Sequence, residues 1–560
     1  MFFRVKTVGP HSYVQLVENH REDGHHKQRV LLTLGSLDEL KESGQIDALL
    51  ASGSRLSESM LVLTEHQRGE VTSTPPRRFG AVLAFERLWV QTGCRDVIQA
   101  LAHERKFSFS LERAVFFTVL HRLLTSGSDR GAVQSWQEDY QIEGSGGLQL
   151  HQLYRAMAFL GEVLPEEEQA GATPFSPRCV KDQIEEALFS RRRDLFSGLE
   201  LVFFDTTSIY FEGEGGETLG QHGHSKDHRP DLKQMVVGMI LDGQGRPVCC
   251  EMWPGNTTDV TTLIPVVDRL KRRFGIVRVC VIADRGMISE KTIAALEKRD
   301  LEYILGARMH AQKEVSEQVL GRAGRFHEVT PPRRSKKDPS PLKVKQVWVA
   351  DESGERRYVV CQNDEEARKD AHDREAIVAA LREALRHGEK SLVGNKGYRR
   401  YLRSEGPAFS VDEERIAEEA RYDGKWVLHT NTSLPTKDVA LAYKQLWKVE
   451  EMFRSMKSLL TTRPIWHKCD ETIRGHVFCT YLALVLRKAM EDRLEAAGID
   501  EEWARVLADL DRLTHVDVEK EGKRFRIRSS TSGCAGKVLQ AVGVAAPPSV
   551  RLISAGAATS

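Results

Sequence analysis

Leu201-Val202-Phe203-Phe204-Asp205 decides the fold: four apolar residues in a row, closed by a carboxylate. A short unbroken apolar run ended by a polar residue reads as a buried strand. A second run of this kind, Val279-Cys280-Val281-Ile282-Ala283, closes on Asp284. Between the two, residues 234–241 and 247–253 read as strands around the turn Asp242-Gly243-Gln244-Gly245. Residues 260–274 read as a helix. After Asp284 come a helix over 289–298 and a strand over 302–307. Three strands, helix, strand, helix, strand is the pattern of an α/β core.

Farther along, residues 439–460 form the most periodic helix of the chain. Ala442, Leu446, Val449, Phe453, Met456 and Leu460 step by four and three, a clean apolar stripe. Tyr443, Glu450 and Lys457 are spaced by seven and form a second line beside it. Glu450 thus runs along the margin of the core, where carboxylates at strand ends can meet it. Taken alone, Glu450 and Arg454 would read as an exposed i,i+4 pair worth only a few tenths of a kcal/mol. With Asp205 and Asp284 upstream, a site of three acids is the better reading. Asp205, Asp284 and Glu450 are hard oxygen ligands suited to two Mg²⁺ ions, with Mn²⁺ as a substitute. Two such ions stabilise the attacking and leaving oxygens of a phosphodiester displacement. Lys457 and Arg454 suit phosphate oxygens.

The bulk properties exclude more than they select. A chain of 560 residues holds more than one domain. Its 81 Lys and Arg nearly cancel its 80 Asp and Glu, so any nucleic-acid surface must be local. No stretch reads as a membrane span or signal peptide. Nine scattered cysteines without a C-x-x-C fit a reducing cytoplasm and argue against a zinc ribbon. No G-x-S-x-G elbow supports a hydrolase triad, and no P-loop supports ATP use.

The N-terminal segment reads as a β-ribbon, 13–17 and 28–32, around Glu22-Asp23-Gly24 with a basic tip. Thr72-Ser73-Thr74-Pro75-Pro76 reads as a linker. Helices are expected over 79–91, 96–104, 111–125 and 148–164, a small bundle. Residues 310–437 leave the core pattern. They carry a basic run, Arg333-Arg334-Ser335-Lys336-Lys337, strands over 343–350, 357–362 and 425–430, and a charged helix over 364–387. After residue 460 the loop Arg463-Pro464-Ile465-Trp466-His467-Lys468 leads into a helix over 471–496. A strand pair near 516–527 precedes a Gly/Ala/Ser-rich end expected to fray. His222, His224 and His228 cluster among Lys226, Arg229 and Lys233. With no cysteine near, contacts to a DNA backbone are favoured over a metal site, and a solvated loop stays open.

In order and placement the three acids resemble those of the DDE transposases of bacterial insertion sequences. One large group of these carries Y-x₂-R-x₃-E-x₆-K. Here Tyr443, Glu450 and Lys457 stand in register, and Leu446 stands where that pattern has arginine. Ser225-Lys226-Asp227-His228-Arg229-Pro230-Asp231-Leu232-Lys233-Gln234, Pro254-Gly255-Asn256-Thr257-Thr258-Asp259 and Tyr422-Asp423-Gly424-Lys425-Trp426-Val427-Leu428 resemble further segments of the group. So do Arg29-Val30-Leu31-Leu32-Thr33-Leu34-Gly35 and the helix starting at Phe79.

The resemblance implies an RNase H-like catalytic core with a β-rich insertion before the Glu-bearing helix, plus an N-terminal β-ribbon and helical domain. The expected boundaries are 1–75 for ribbon and linker, 76–195 for a helical DNA-end-binding region, and 196–309 for the first part of the core. Residues 310–437 are then the insertion, 438–500 the rest of the core and 501–560 a C-terminal region. The implied activity is Mg²⁺-dependent cleavage at terminal inverted repeats and strand transfer into target DNA, by a homodimer on double-stranded DNA. The implied setting is bacterial, cytoplasmic and nucleoid-associated. The DNA-binding candidates are Tyr443, Arg454, Lys457, Lys226, Arg229, Lys233 and Trp426. Trp348 and Trp426 are candidates for stacking on distorted bases, with ordinary packing in a strand as probable for each. A nuclease that cuts without joining, and a non-catalytic DNA-binding derivative, stay open on the residues alone.

Overall fold

The computed structural model describes residues 2–22, 25–43, 71–103, 105–170, 172, 176–192, 200–276, 278–287, 289–330, 341–351, 354–387, 396–405, 408–520 and 523–553. The basic run at 333–337, the ribbon turn at Asp23-Gly24 and the last seven residues lie outside them.

The chain divides into two compact units. The first takes Met1–Arg77, Thr514–Ser530 and Pro547–Ser560. It holds an antiparallel sheet of β1 (Phe2–Val8), β2 (His11–Glu22) and β3 (His25–Ser36), followed by the short helix α1 (Leu37–Glu42). The expected ribbon is therefore β2 and β3, both longer than read, with β1 added. Residues expected as linker begin with a strand, β4 (Val71–Ser73), and β5 (Arg77–Arg78) follows at the boundary of the unit. β4 pairs with β17 (Thr514–Lys520) in a sheet completed by β18 (Lys523–Arg528) and β19 (Val550–Ile553).

The second unit takes Arg78–Leu513 and Thr531–Ala546. Its helical part comprises α2 (Gly80–Gln91), α3 (Cys94–His103), α4 (Leu111–Leu124), α5 (Leu150–Gly161) and α6 (Val180–Arg192). The sheet strands are β6 (Glu200–Tyr210), β7 (Gln234–Leu241), β8 (Pro247–Pro254), β9 (Val279–Ala283) and β10 (Glu302–Gly306). The helices between them are α7 (Asp259–Phe274), closed by Gly275 at φ 60°, and α8 (Glu290–Glu297). β11 (His327–Val329), β12 (Leu342–Asp351), β13 (Gly354–Gln362) and β16 (Lys425–Thr430) continue the same sheet, giving nine strands in the order β11-β12-β13-β16-β10-β9-β6-β7-β8. β6, β9 and β10 are mutually parallel, β7 is antiparallel to β6, and β8 is antiparallel to β7. The strands of 310–437 thus join the same sheet, apart from the small pair β14 (Leu402–Glu405) and β15 (Ala408–Val411). The charged helix is α9 (Asp364–Arg386), and α10 (Glu413–Ala420) precedes β16.

The helix expected over 439–460 is three pieces. They are α11 (Thr436–Lys444), α12 (Trp447–Arg454) and a wide π turn over Ser455–Leu459. At the joint, the amides of Gln445 and Leu446 bond three residues back, to Ala442 and Tyr443. A tight turn followed by a wide one keeps the whole apolar stripe buried, from Ala442 to Leu460. One face of the sheet packs on α11, α12 and the long helix α13 (Asp470–Ala496), whose other side packs on α4 and α5. The other face packs on α7 and α8. Helices α14 (Trp503–Asp511) and α15 (Ala535–Val542) pack on α2, and α15 also touches α13. Among the described residues no helix is long and apolar enough to cross a membrane.

Candidate active site

β6 and β9 run side by side, with Phe204 opposite Ala283. The next residue on each strand is an acid, so Asp205 and Asp284 stand at one level of the sheet. Asp284 follows the last residue of β9 and is exposed. Asp205 does not end its strand, as its sequence suggested: β6 continues to Tyr210 because β7 pairs with it throughout. α12 crosses β6 and β7, and Glu450 in its first turn faces solvent. A cleft of about 340 Å³ is lined by Asp205, Asp284 and Glu450 together with Tyr443, Leu446 and Trp426. The three acids found on separate segments of sequence therefore meet at one opening.

The electrostatics of the cleft suit a cation. Burial pushes the Asp205 carboxyl up to about 6, against the pull of Lys226 and of the Thr206 amide, and Asp284 and Asp259 push it further. That amide donates to Asp205 Oδ1 at 2.7 Å. Asp205, Asp284, Glu366, Asp370 and Glu450 outnumber Lys425 and Lys444 in the cleft lining, and carboxylate oxygens are the donors that suit a hard divalent cation. The Tyr443 hydroxyl donates to Asp284 Oδ1 at 3.0 Å and fixes its rotamer. Burial first, then Asp284, raise the Tyr443 pKa, so it stays a donor. Gly306 makes room for it, since a Cβ there would collide with the Tyr443 hydroxyl.

The other expected residues fall into three places. Trp426 lines the cleft, with the Lys444 ammonium 4.1 Å from its ring centroid. Lys226 turns inward: its Nζ donates to Thr206 O at 2.8 Å and Thr206 Oγ1 at 2.9 Å, and lies 2.9 Å from Asp259 Oδ2. Thr206 Oγ1 donates in turn to Asp259 Oδ1 at 2.6 Å. Lys226 is thus a brace behind Asp205, held by the carboxylate of Asp259 at the start of α7. Lys457 donates to Asp227 Oδ1 at 2.7 Å, and Arg463 pairs with the same oxygen. Burial lowers the Lys457 pKa, partly offset by Asp227. Arg229 pairs with Asp231 at 2.8 Å and Lys233 with Glu214 at 3.5 Å, outside the residues lining the cleft. Arg454 is exposed and makes no ion pair with Glu450 among the described residues. His222, His224 and His228 are exposed and form no metal-type cluster. Trp348 is 44% exposed on β12. Leu446, at the position of the signature arginine, is buried in the stripe.

Sequence reasoning missed Asp227, Asp259, Glu366 and Asp370, the last two lining the cleft from α9. Asp227 and Asp259 lie inside the two quoted loop segments, the one signal that marked them. It also missed a set formed by Asp129, His467 and His476, whose ligand atoms lie within 4.8 Å of one another. There Arg122 Nη2 donates to His476 Nδ1 at 2.9 Å, and His476 Nε2 meets Thr462 O at 3.0 Å. Both ring nitrogens of His476 are thus engaged, so the set reads as a hydrogen-bonded support and not as a metal site.

Comparison with known proteins gives two family matches. The model described as transposase DDE domain matches residues 197–486, about half of the chain. The model described as IS1634 family transposase, N-terminal domain, matches residues 3–65. No curated protein matches the chain. Among solved structures, the piggyBac transposase synaptic complex with hairpin DNA aligns at 10% identity and a TM-score of 0.36, covering 78% of this chain and 82% of that one.

Proposed function

Since this chain belongs to the DDE-domain transposases, we propose that it cuts DNA at the terminal inverted repeats of its own element and joins the freed ends to target DNA. The convergence of Asp205, Asp284 and Glu450 on one cleft carries this reading. The strand order β8-β7-β6-β9-β10, antiparallel then parallel, supports an RNase H-like core with both aspartates on its central pair. The residues between β10 and α11 are then its insertion, and the helices before β6 its end-binding region.

In this reading Asp205, Asp284 and Glu450 hold two Mg²⁺ ions. Bound there, the ions supply charge for the attacking and leaving oxygens of a phosphodiester displacement. Tyr443 keeps Asp284 turned into the cleft, and Lys226 with Asp259 keeps the backbone beside Asp205 in place. Lys457 and Arg454 take up phosphate oxygens, and Trp426 forms the apolar wall. A homodimer pairing two DNA ends is the working assembly.

The test is cleavage and strand transfer with Mg²⁺ on DNA carrying the gene's own flanking ends, wild type beside Glu450→Gln. Cutting and joining by the wild type alone is expected, with end binding retained in the variant. Cutting without joining would make the protein a nuclease. Specific binding with no chemistry in either would make it a DNA-binding derivative.

A further inference from the structure

Trp466 is 66% exposed, the most exposed of the large apolar side chains among the described residues. A tryptophan of this exposure leaves an apolar surface in water that proteins commonly bury. Its backbone is held on every side. Ile465, fully buried, takes a hydrogen bond from the Glu212 amide at 3.1 Å and gives one to Tyr210 O at 3.3 Å, extending the end of β6. Thr462 donates to Met456 O at 2.9 Å. His467 Nε2 lies 3.1 Å from His476 Nδ1, and its ring meets Tyr154 edge-on at 5.1 Å. Burial and Arg122 keep both histidines uncharged at neutral pH. The Arg122 network therefore holds a loop whose one outward apolar side chain is Trp466.

Cations and aromatic rings lie around it, with Arg229 paired to Asp231. Lys468 is exposed two residues on. Arg463 and Lys457 share the single carboxylate of Asp227, leaving net positive charge. Arg463 and Arg229 lie 5.7 Å and 5.5 Å from the centroid of the Tyr210 ring. Tyr154 is 37% exposed behind the loop. Aromatic faces set among cations are what nucleic-acid proteins use to stack on bases while gripping the backbone.

We propose that Trp466 is a base-contacting residue, held off the end of β6 to stack on an unpaired nucleobase of bound DNA, with Arg463, Lys457 and Lys468 on the adjoining phosphates. This rests on the reading that DNA enters the cleft of Asp205. Five residues of β6 separate Asp205 from Tyr210, roughly 17 Å at strand rise. That span is about five nucleotides at 3.4 Å per step, so the contacted base lies within about five nucleotides of the cut.

The test uses the full-length protein and flanking-end duplexes carrying 2-aminopurine singly at each of the six positions nearest the cut. Wild type bound in Ca²⁺ should change the fluorescence at one position, Trp466→Phe should largely keep the change, and Trp466→Ala should lose it. In Mg²⁺, Trp466→Ala should cut roughly 5- to 100-fold more slowly, the range of a lost base stack. A mismatch at the reporting position should restore most of that rate, because the unpairing is then already made. An unchanged signal and rate in Trp466→Ala would overturn the inference. So would a rate loss that neither phenylalanine nor the mismatch restores, which marks a purely structural role. The fluorescence reads binding alone, so it decides this inference even if no cut is made. Absence of Glu450-dependent cutting in the wild type counts against the proposed function instead.

Discussion

Asp284 and Tyr443 show how closely single residues are set in this cleft. Removing the hydroxyl in Tyr443→Phe deletes a hydrogen bond to a charged group, of about 1.5–3 kcal/mol. Cleavage should fall about tenfold or more with folding intact, as read by initial rates and circular dichroism. Gly306→Ala should reproduce that loss, since its Cβ would displace the same hydroxyl. Asp205 carries a signed pH dependence. Its folded pKa, about 6, lies above the usual carboxylate value, so the folded state holds a proton that the unfolded state has lost. Its contribution to stability therefore declines as pH rises from about 4 to 6 and stays unfavourable above. In metal-free protein, Asp205→Asn should raise the melting temperature at pH 8 and change little at pH 4. Adding Mg²⁺ should stabilise wild type more than the variant. The three acids were legible in the sequence because each ends or borders an apolar pattern. Asp227 and Asp259 were not, and Lys226 was read as a DNA contact and not as a brace, because their partners lie elsewhere in the chain and charged loop residues carry no periodicity.

At the scale of elements, apolar periodicity located β7, β16 and the long helices almost to the residue. It failed for α6, which buries Lys181, Asp182 and Glu185 beside Val180, Ile184 and Leu188 and so shows no clean apolar face in its sequence. Lys181, Asp182 and Glu185 of α6 meet Arg269 and Arg273 of α7 and Glu251 of β8, all nearly without exposure. Arg273 holds the Asp182 carboxylate low, while burial raises that of Glu185. Such a network is strongly cooperative to break, because each deletion strands a buried charge. Arg273→Ala should cost about 3–5 kcal/mol in urea unfolding, whereas Arg278→Ala, an exposed pair with Glu302, should cost under about 1 kcal/mol. The tight joint at Gln445 and Leu446 was equally hidden, because the apolar stripe reads the same whether the turns beneath it are even or alternately narrow and wide.

On the scale of the whole molecule, the sequence pointed to an α/β core but not to how far its sheet extends. The strands after β10 alternate like those of a separate domain, and only pairing shows that β16 lies beside β10 and β13 beside β16. That the N-terminal ribbon and the C-terminal strand pair belong to one unit also escaped the reading, because β4 and β17 are more than four hundred residues apart. β4 covers the outer edge of β17. Deleting residues 1–77 should bare that edge and cause self-association in sedimentation velocity, while deleting only 1–70 should leave the protein monodisperse. A last feature joins the helices to the sheet. α5 and α13 touch backbone to backbone: a Cβ on Gly161 would strike the Glu471 carbonyl, and one on Gly475 the Met157 carbonyl. At these two points the backbones approach too closely for a side chain on either glycine, which leaves the helices little room to slide. If the helices before β6 grip the DNA end, as proposed, the protein works as a caliper locked at one opening. The number of base pairs between grip and cut is then counted by its own skeleton.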